Sequence, residues 1–176
     1  MEHFNNQMVV EFDSISKNES FARVVVAAFV TRLNPTLEEI ADIKTAVSEA
    51  VTNSIIHGYE NMDGKIRIET HIVEDTVTII VTDYGVGIDN IDKAMEPMYT
   101  SKPELERSGM GFAFMEAFMD ELFVESTVGK GTTITMRKVI RQDKEDIQEE
   151  KTEKREVNIK ESVIGKQEGN SSSGVK

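Results

Sequence analysis

Three polar side chains recur at every fourth position near the middle of the chain. They are Glu49, Asn53 and His57, and in a helix this spacing places them on one face. A carboxylate and an amide one turn apart could divide the work around a metal-bound nucleotide. Asparagine would be a neutral Mg²⁺ ligand and glutamate a proton acceptor. The same spacing is also typical of an ordinary exposed polar stripe, so the cluster alone leaves both interpretations open.

A second cluster, Asp83-Tyr-Gly85-Val-Gly87, follows a segment of alternating apolar residues. Two glycines one residue apart permit positive φ angles and let another group approach the backbone closely. Asp83 continues the register of Val77, Ile79 and Val81, so its carboxylate is expected to face the core and to need a hydrogen-bond donor. The amino group of adenine would supply one. A structural water or a hydrogen bond within the turn would serve equally well.

A third cluster is Arg107-Ser108-Gly109-Met110-Gly111, after a stretch at 89–106 that has little periodicity and contains Lys102. A glycine pair that opens a helix can present backbone N–H groups to phosphate, with a modest favourable contribution from the helix dipole. The stretch at 89–106 would form a lid, and Arg107 could reach a terminal phosphate. A plain turn with a solvated Arg107 explains the same residues.

Several other catalytic motifs are absent from the sequence. Gly129-Lys-Gly131 lacks the earlier glycine of a Walker loop, and neither glycine pair completes a Rossmann fingerprint. The chain has no Gly-x-Ser-x-Gly elbow and no His-Glu-x-x-His helix. Walker, Rossmann, serine-hydrolase and zinc-protease interpretations are therefore excluded.

Local patterns predict the elements that must position these clusters. Thr36 and Glu39 form a capping box at the start of a long helix, and Gly58 is interpreted as its C-terminal stop. Alternating apolar residues predict strands. The expected elements are a strand at 8–12, helices at 19–33 and 36–56, a hairpin of strands at 66–72 and 77–83, a helix at 109–122, and closing strands at 123–125 and 132–139. This order predicts a two-layer α/β sandwich.

Composition narrows the class of protein further. The net charge of −12 makes direct nucleic-acid binding unfavourable, and the absence of cysteine excludes disulfides and thiolate metal sites. We see no secretion signal and no span that could cross a membrane, so we expect a cytoplasmic protein. Residues 141–176 contain no aromatic residue and are rich in charged and small polar residues. The expected organisation is a folded domain at 1–140 and a disordered charged tail at 141–176.

Taken together and in this order, the three clusters resemble the N, G1 and G2 boxes of the GHKL ATP-binding superfamily. Residues 18–23, 48–59 and 100–112 further resemble the anti-sigma F factor family of endospore-forming bacteria. The resemblance covers about residues 5 to 140. It implies the Bergerat fold, a mixed but mostly antiparallel sheet packed on helices. It also implies a homodimer that binds sigma factor F and, as a serine kinase, uses Mg²⁺ and ATP to phosphorylate an anti-anti-sigma protein.

The resemblance also implies a role for each motif residue. Glu49 would be the general base, Asn53 would ligate Mg²⁺, and Arg23 would contact the protein partners. Asp83 would accept a hydrogen bond from the adenine amino group, and Thr132 would complete the adenine pocket. The remaining residues implied to contact the nucleotide are Gly85, Gly87, Lys102, Arg107, Ser108, Gly109, Met110 and Gly111.

Three alternatives to this function stay open. A stress-response anti-sigma kinase of the same family would share the boxes and differ only in its partners. A histidine-kinase catalytic module fits less well, because the chain has only three histidines and no upstream four-helix dimerisation region. A nucleotide-gated binding module without transfer activity is the third alternative, and the presence of Glu49 argues against it.

Overall fold

The structure, a computed structural model, describes residues 5–60, 62–96 and 110–141, which belong to one compact unit. Its helices are α1 (Lys17–Val30), α2 (Leu37–Asn53), α3 (Ile91–Ala94) and α4 (Gly111–Phe118), with a 3₁₀ turn at Thr31–Leu33 and a π-helical turn at Ser54–Gly58. Its strands are β1 (Asn5–Asp13), β2 (Lys65–Val73), β3 (Thr76–Asp83), β4 (Glu121–Thr127) and β5 (Gly131–Val139). Of the tail predicted at 141–176, residues 142–176 lie outside the described residues.

The five strands form one sheet in the order β1-β2-β3-β5-β4, and every pairing is antiparallel. Inward side chains of β2 and β3 are buried and alternate with partly exposed ones, as the hairpin pattern predicts. In this register Asp83 lies opposite Ile66 on one side and opposite Thr132 on the other. The sheet therefore brings the end of β3 next to the start of β5.

Helices α1, α2 and α4 form the second layer, and the core lies between them and one face of the sheet. Helix α2 begins at the predicted capping box, in which the Thr36 side chain accepts from the Glu39 N–H and the Glu39 carboxylate accepts from the Thr36 N–H. Its buried residues, among them Ile43, Val47 and Val51, face the sheet. The predicted two-layer α/β sandwich is confirmed.

One boundary prediction was wrong. The helix expected at 109–122 ends at Phe118, and Leu122 belongs to β4. Met115, Met119 and Leu122 have helical spacing, but pairing of β4 with β5 prevails, and Leu122 and Val124 alternate with exposed neighbours. The Lys138 ammonium donates to the Phe118 carbonyl at 2.6 Å, which satisfies a backbone acceptor at the helix end.

The other element boundaries lie close to the predicted ones. The first helix extends over Lys17–Val30 and continues as the 3₁₀ turn to Leu33. The stretch predicted to form a lid contains the short helix α3, while its residues 97–106 lie outside the described part of the chain. Among the described helices, none has both the length and the apolar character that crossing a bilayer requires.

Candidate functional site

A cavity of about 440 Å³ opens between the end of α2, the loop after β3, the start of β5 and the N-terminus of α4. Asn53 and His57 line it from the helical side, Asp83 and Thr132 from the sheet, and Gly111 from α4. Members of all three sequence clusters therefore meet around one volume. Motifs separated by up to about sixty residues in sequence meet here because the β3–β5 pairing and the packing of α2 on α4 bring them together.

Asp83 faces the core side of the sheet, as its register predicts, and is only 4% exposed. Its Oδ1 accepts from the Gly85 N–H at 3.0 Å and from the Thr132 N–H at 3.2 Å. Burial raises the pKa of this carboxyl, and the hydrogen bonds from Gly85, Ser54 and Thr132 oppose that rise by stabilising the charged form. The turn hydrogen bond that the sequence left open is thus present, and the carboxyl still lines the cavity.

The glycines of the second cluster pack against backbone. A methyl group on Gly85 would lie closer than 3.0 Å to the Gly58 carbonyl oxygen, and one on Gly87 closer than 3.0 Å to the Thr127 carbonyl oxygen. Gly87 also has a φ of +74°, in the left-handed region that favours glycine. Hydrogen bonds from the Val86 N–H to the Gly58 carbonyl and from the Gly129 N–H to the Val86 carbonyl fix the loop on both sides.

Gly58 has a packing role in addition to the predicted one. The π-helical turn that follows α2 ends at Gly58, where the sequence predicted the stop, and the cap residue Tyr59 has a φ of −101°. A methyl group on Gly58 would lie 2.8 Å from Asp83 Cγ. Gly58 is therefore small because the Asp83 carboxyl packs directly against it.

Glu49 and Asn53 converge on the first residue of α4. A methyl group on Gly111 would lie 3.1 Å from Glu49 Oε2 and 3.2 Å from Asn53 Oδ1. Two side-chain oxygens from α2 thus border the N-terminus of α4, where backbone N–H groups have no partner within the helix. An N-terminus with such free donors and nearby oxygens suits an anion together with its cation.

Comparison with known proteins shows the family of this chain. Residues 16–138 match the family described as "Histidine kinase-like ATPase domain". An anti-sigma F factor of Clostridium kluyveri is 64% identical over 136 residues, which cover 77% of this chain and 96% of that protein. Similar proteins of the same name come from Clostridium beijerinckii (64% identity, 76% and 94% covered) and Priestia megaterium (58% identity, 76% and 92% covered). The chain belongs to the anti-sigma F factor family. The predicted family is confirmed.

A solved structure with the same fold is more distant. The RsbU and RsbW domains of Rv1364c from Mycobacterium tuberculosis share 20% sequence identity with this chain and superpose with a TM-score of 0.55. The match covers 77% of this chain but only 32% of the other. It supports the fold alone. The match to an ATPase domain implies that the chain binds ATP.

Thr132, the predicted adenine-pocket residue, is buried at the start of β5 and lines the cavity. Its hydroxyl lies 2.9 Å from Ser126 Oγ on β4. Sequence reasoning missed both Ser126 and Ser54, whose hydroxyl hydrogen-bonds to Asp83. A signal for Ser126 did exist, because the turn at Gly129-Lys-Gly131 places position 126 opposite position 132.

Other predicted site residues are distributed differently. Lys102, Arg107, Ser108 and Gly109 lie outside the described residues. Met110 precedes α4 as its N-cap residue and is partly buried.

Arg23 lies away from the cavity, on α1, where its guanidinium lies 3.3 Å from the Glu19 carboxylate. Glu19 also accepts a hydrogen bond from Ser48, the residue before Glu49. The predicted partner-binding residue is therefore joined to α2 through two side chains.

Proposed function

We propose that this chain is an anti-sigma factor that binds and inhibits sigma factor F. We further propose that it uses Mg²⁺ and ATP as a serine kinase to phosphorylate its anti-anti-sigma antagonist. The observation that supports the transfer reaction best is the convergence of Glu49 and Asn53 on Gly111 at the edge of the cavity. In that arrangement Glu49 would be the proton acceptor and Asn53 the oxygen ligand, both beside a helix N-terminus.

The base of the nucleotide fits the sheet side of the cavity. Asp83 would accept from the adenine amino group, since its carboxyl lines the cavity and is held by backbone donors. Thr132 lines the same region. Gly85 and Gly87 would act by keeping the loop tight against its neighbours, which gives the base a fixed wall.

The phosphates fit the opposite end. Gly111 carries no side chain where Glu49 and Asn53 approach, so backbone N–H groups of α4 would be open to phosphate oxygens. Lys102, Arg107, Ser108 and Gly109 would complete this end from the segment outside the described residues. Within the described residues no three acidic or histidine side chains cluster as a ready-made metal site. Mg²⁺ does not need such a cluster, because it commonly takes one or two protein oxygens together with substrate phosphates and water. Asn53 would supply one protein oxygen.

Glu49 would act on the substrate serine. A glutamate with a reference pKa of about 4.3 is far too weak a base to ionise a serine hydroxyl beforehand. Its carboxylate would instead hold the hydroxyl in line and take the proton as the bond to phosphorus forms. Bound Mg²⁺ would neutralise developing charge on the phosphoryl oxygens. Positioning would then account for most of the rate.

The partner assignment rests on family membership. Relatives at 58–64% identity carry the name anti-sigma F factor, and we extend that specificity, the homodimer and a cytoplasmic location to this chain. Arg23 would contact the sigma factor and the antagonist. A stress-response anti-sigma kinase stays the second candidate, because it would use the same cavity with different partners.

Incubation with γ-labelled ATP and a candidate anti-anti-sigma protein tests the proposal. We expect label on serine, and we expect Glu49→Gln to lower the transfer rate at least about 100-fold while sigma binding persists. Glu116→Gln, which changes an exposed carboxylate on α4, is the matched control and should transfer at the wild-type rate. Wild-type transfer by Glu49→Gln would remove Glu49 from catalysis. Label on histidine would favour the histidine-kinase module, and no label would favour a binding module.

A further inference from the structure

Ser126 connects two parts of the cavity wall without lining the cavity itself. Its Oγ accepts from the Ile88 N–H at 2.8 Å, lies 3.0 Å from the Gly131 carbonyl oxygen, and lies 2.9 Å from Thr132 Oγ1. Ile88 and Thr132 both line the cavity. One half-buried hydroxyl on β4 therefore joins the loop after β3 to the start of β5.

The protons of these groups can be assigned by counting donors and acceptors. A serine hydroxyl has one proton to donate and two lone pairs. The Gly131 carbonyl can only accept, so the Ser126 proton belongs on that contact. The Ile88 N–H occupies one lone pair of Ser126, and the second lone pair then accepts the proton of the Thr132 hydroxyl. This is the arrangement that satisfies all three contacts at once.

This proton assignment determines which hydrogen-bond donors and acceptors the cavity wall presents to a base. With its proton held by Ser126, the Thr132 hydroxyl presents only lone pairs toward the cavity. The backbone N–H of Thr132 is already donated to Asp83, and an ionised Asp83 is also an acceptor. The two side chains at this end of the cavity then favour a donor group at position 6, which the amino group of a 6-amino purine supplies. A 6-oxo purine would place its carbonyl oxygen against acceptors, and buried polar groups left unpaired in this way are costly.

We propose that Ser126 is a positioning residue for base selection: by holding the Thr132 hydroxyl proton, it makes the cavity discriminate 6-amino from 6-oxo purine nucleotides. The proposal rests on nucleotide binding in the cavity under "Proposed function". Ser126 would contribute to base specificity without contacting the base, because it acts through the Thr132 hydroxyl. It also predicts that selectivity and overall affinity change by different amounts.

The sheet offers a matched control for a purely structural role. Thr82 and Thr133 form a second cross-strand hydroxyl pair, at 3.2 Å, between β3 and β5. Neither residue lines the cavity. Thr133→Val removes that hydroxyl contact in the same sheet, one residue from Thr132.

The test is calorimetric measurement of the dissociation constants of ADP and inosine diphosphate for the full chain. These two ligands differ in the amino or oxo group at position 6. We expect wild type and Thr133→Val to prefer ADP by about 100-fold or more, and Ser126→Ala to lower that preference at least about tenfold. Ser126→Thr keeps the hydroxyl and should restore the preference. A wild-type preference in Ser126→Ala would overturn the proposal, even if both ligands bound more weakly.

A second variant, Thr132→Val, tests the same hydroxyl contact independently, in case Ser126→Ala fails to fold. Thr132→Val removes the hydroxyl that Ser126 is proposed to orient, so it should lower the same preference, and adding Ser126→Ala to it should cause little further change. An unchanged preference in Thr132→Val would overturn the proposal whatever happens to Ser126→Ala. If wild type bound neither nucleotide, the proposed function would fail as well. Tight ADP binding with an unchanged preference in both variants would reject only the role of Ser126.

Discussion

The cavity has two ends, which we propose to hold the base and the phosphates of a nucleotide. These two ends use the same Gly-x-Gly spacing for different physical purposes. At the base end, side chains added to Gly85 or Gly87 would meet backbone carbonyls closer than 3.0 Å. At the phosphate end, a methyl group on Gly111 would meet the tips of Glu49 and Asn53 at 3.1 to 3.3 Å. Backbone in a packed turn cannot move away, whereas side-chain tips can. The base end is thus fixed by the fold, and the phosphate end is left free for a ligand.

The largest expected effect is at Gly87, and Gly129 provides its matched partner. Both have positive φ angles, +74° and +78°, but a methyl group on Gly129 would meet nothing within 4 Å. We expect Gly129→Ala to cost about 1 kcal/mol of unfolding free energy, from backbone strain alone. Gly87→Ala should cost about 2–4 kcal/mol because overpacking adds to that strain. Urea unfolding measures both, and equal losses would show that close packing at the base end is unimportant.

Gly111→Ala should separate folding from binding at the other end. Alanine is a better helix former than glycine, so we expect unchanged or slightly higher stability. We expect ATP affinity to fall about tenfold, because the new methyl group covers the backbone N–H groups and pushes on Glu49 and Asn53. Ala117→Gly, an exposed position on α4, is the converse control, with lower stability and unchanged affinity. If Gly111→Ala lost stability without a change in ATP affinity, Gly111 would be required for packing, as Gly87 is, and the proposed difference between the two ends would be contradicted.

Sequence alone predicted the base end in part because its signals are local. Alternation over β2 and β3 placed Asp83 on the core side, and the Thr36 capping box fixed the start of α2; the structure shows both. The packing role of Gly58 was not predicted, because the approach of Asp83 depends on tertiary packing. The pairing of Ser126 with Thr132 had a signal in the sequence, but the contact of Ser126 with Ile88 depends on tertiary packing.

At the proposed phosphate end, the sequence showed which residue types are present but not the distances between them. The four-residue spacing of Glu49 and Asn53 predicts that they share a helix face. It does not predict that Gly111, some sixty residues later in the sequence, lies close to both side chains. The same long-range pairing explains the error at the end of α4. Met115, Met119 and Leu122 have helical spacing, but Leu122 belongs to β4 because β4 pairs with β5.

A smaller effect is expected from a single oxygen that anchors the base end. The Tyr59 hydroxyl accepts from the Tyr84 N–H at 2.8 Å and donates to the Lys65 carbonyl, and its ring packs against Gly64. Tyr59→Phe removes only that oxygen and should cost about 1–2 kcal/mol of unfolding free energy, since two backbone groups lose their partner. Tyr84→Phe changes a side chain that is 57% exposed and should cost almost nothing. Similar losses in the two variants would contradict an anchoring role for Tyr59.

The smallest expected effect is a pH dependence that belongs to the base end alone. Burial raises the pKa of Asp83 above its ordinary value of 3.8. At pH values between the pKa of Asp83 in the unfolded chain and its pKa in the folded chain, the folded chain therefore binds more protons than the unfolded chain. Stability from this group is therefore greatest at low pH and declines as pH rises through the folded pKa.

Asparagine keeps the shape of Asp83 and cannot ionise, so Asp83→Asn should gain stability relative to wild type as pH rises above 3.8. Unfolding titrations at a series of pH values measure the difference between the two curves. Parallel curves for wild type and Asp83→Asn would mean that the hydrogen bonds from Gly85, Ser54 and Thr132 offset the burial. The base end would then hold a charged carboxylate at no cost, as an acceptor ready for the amino group of a base.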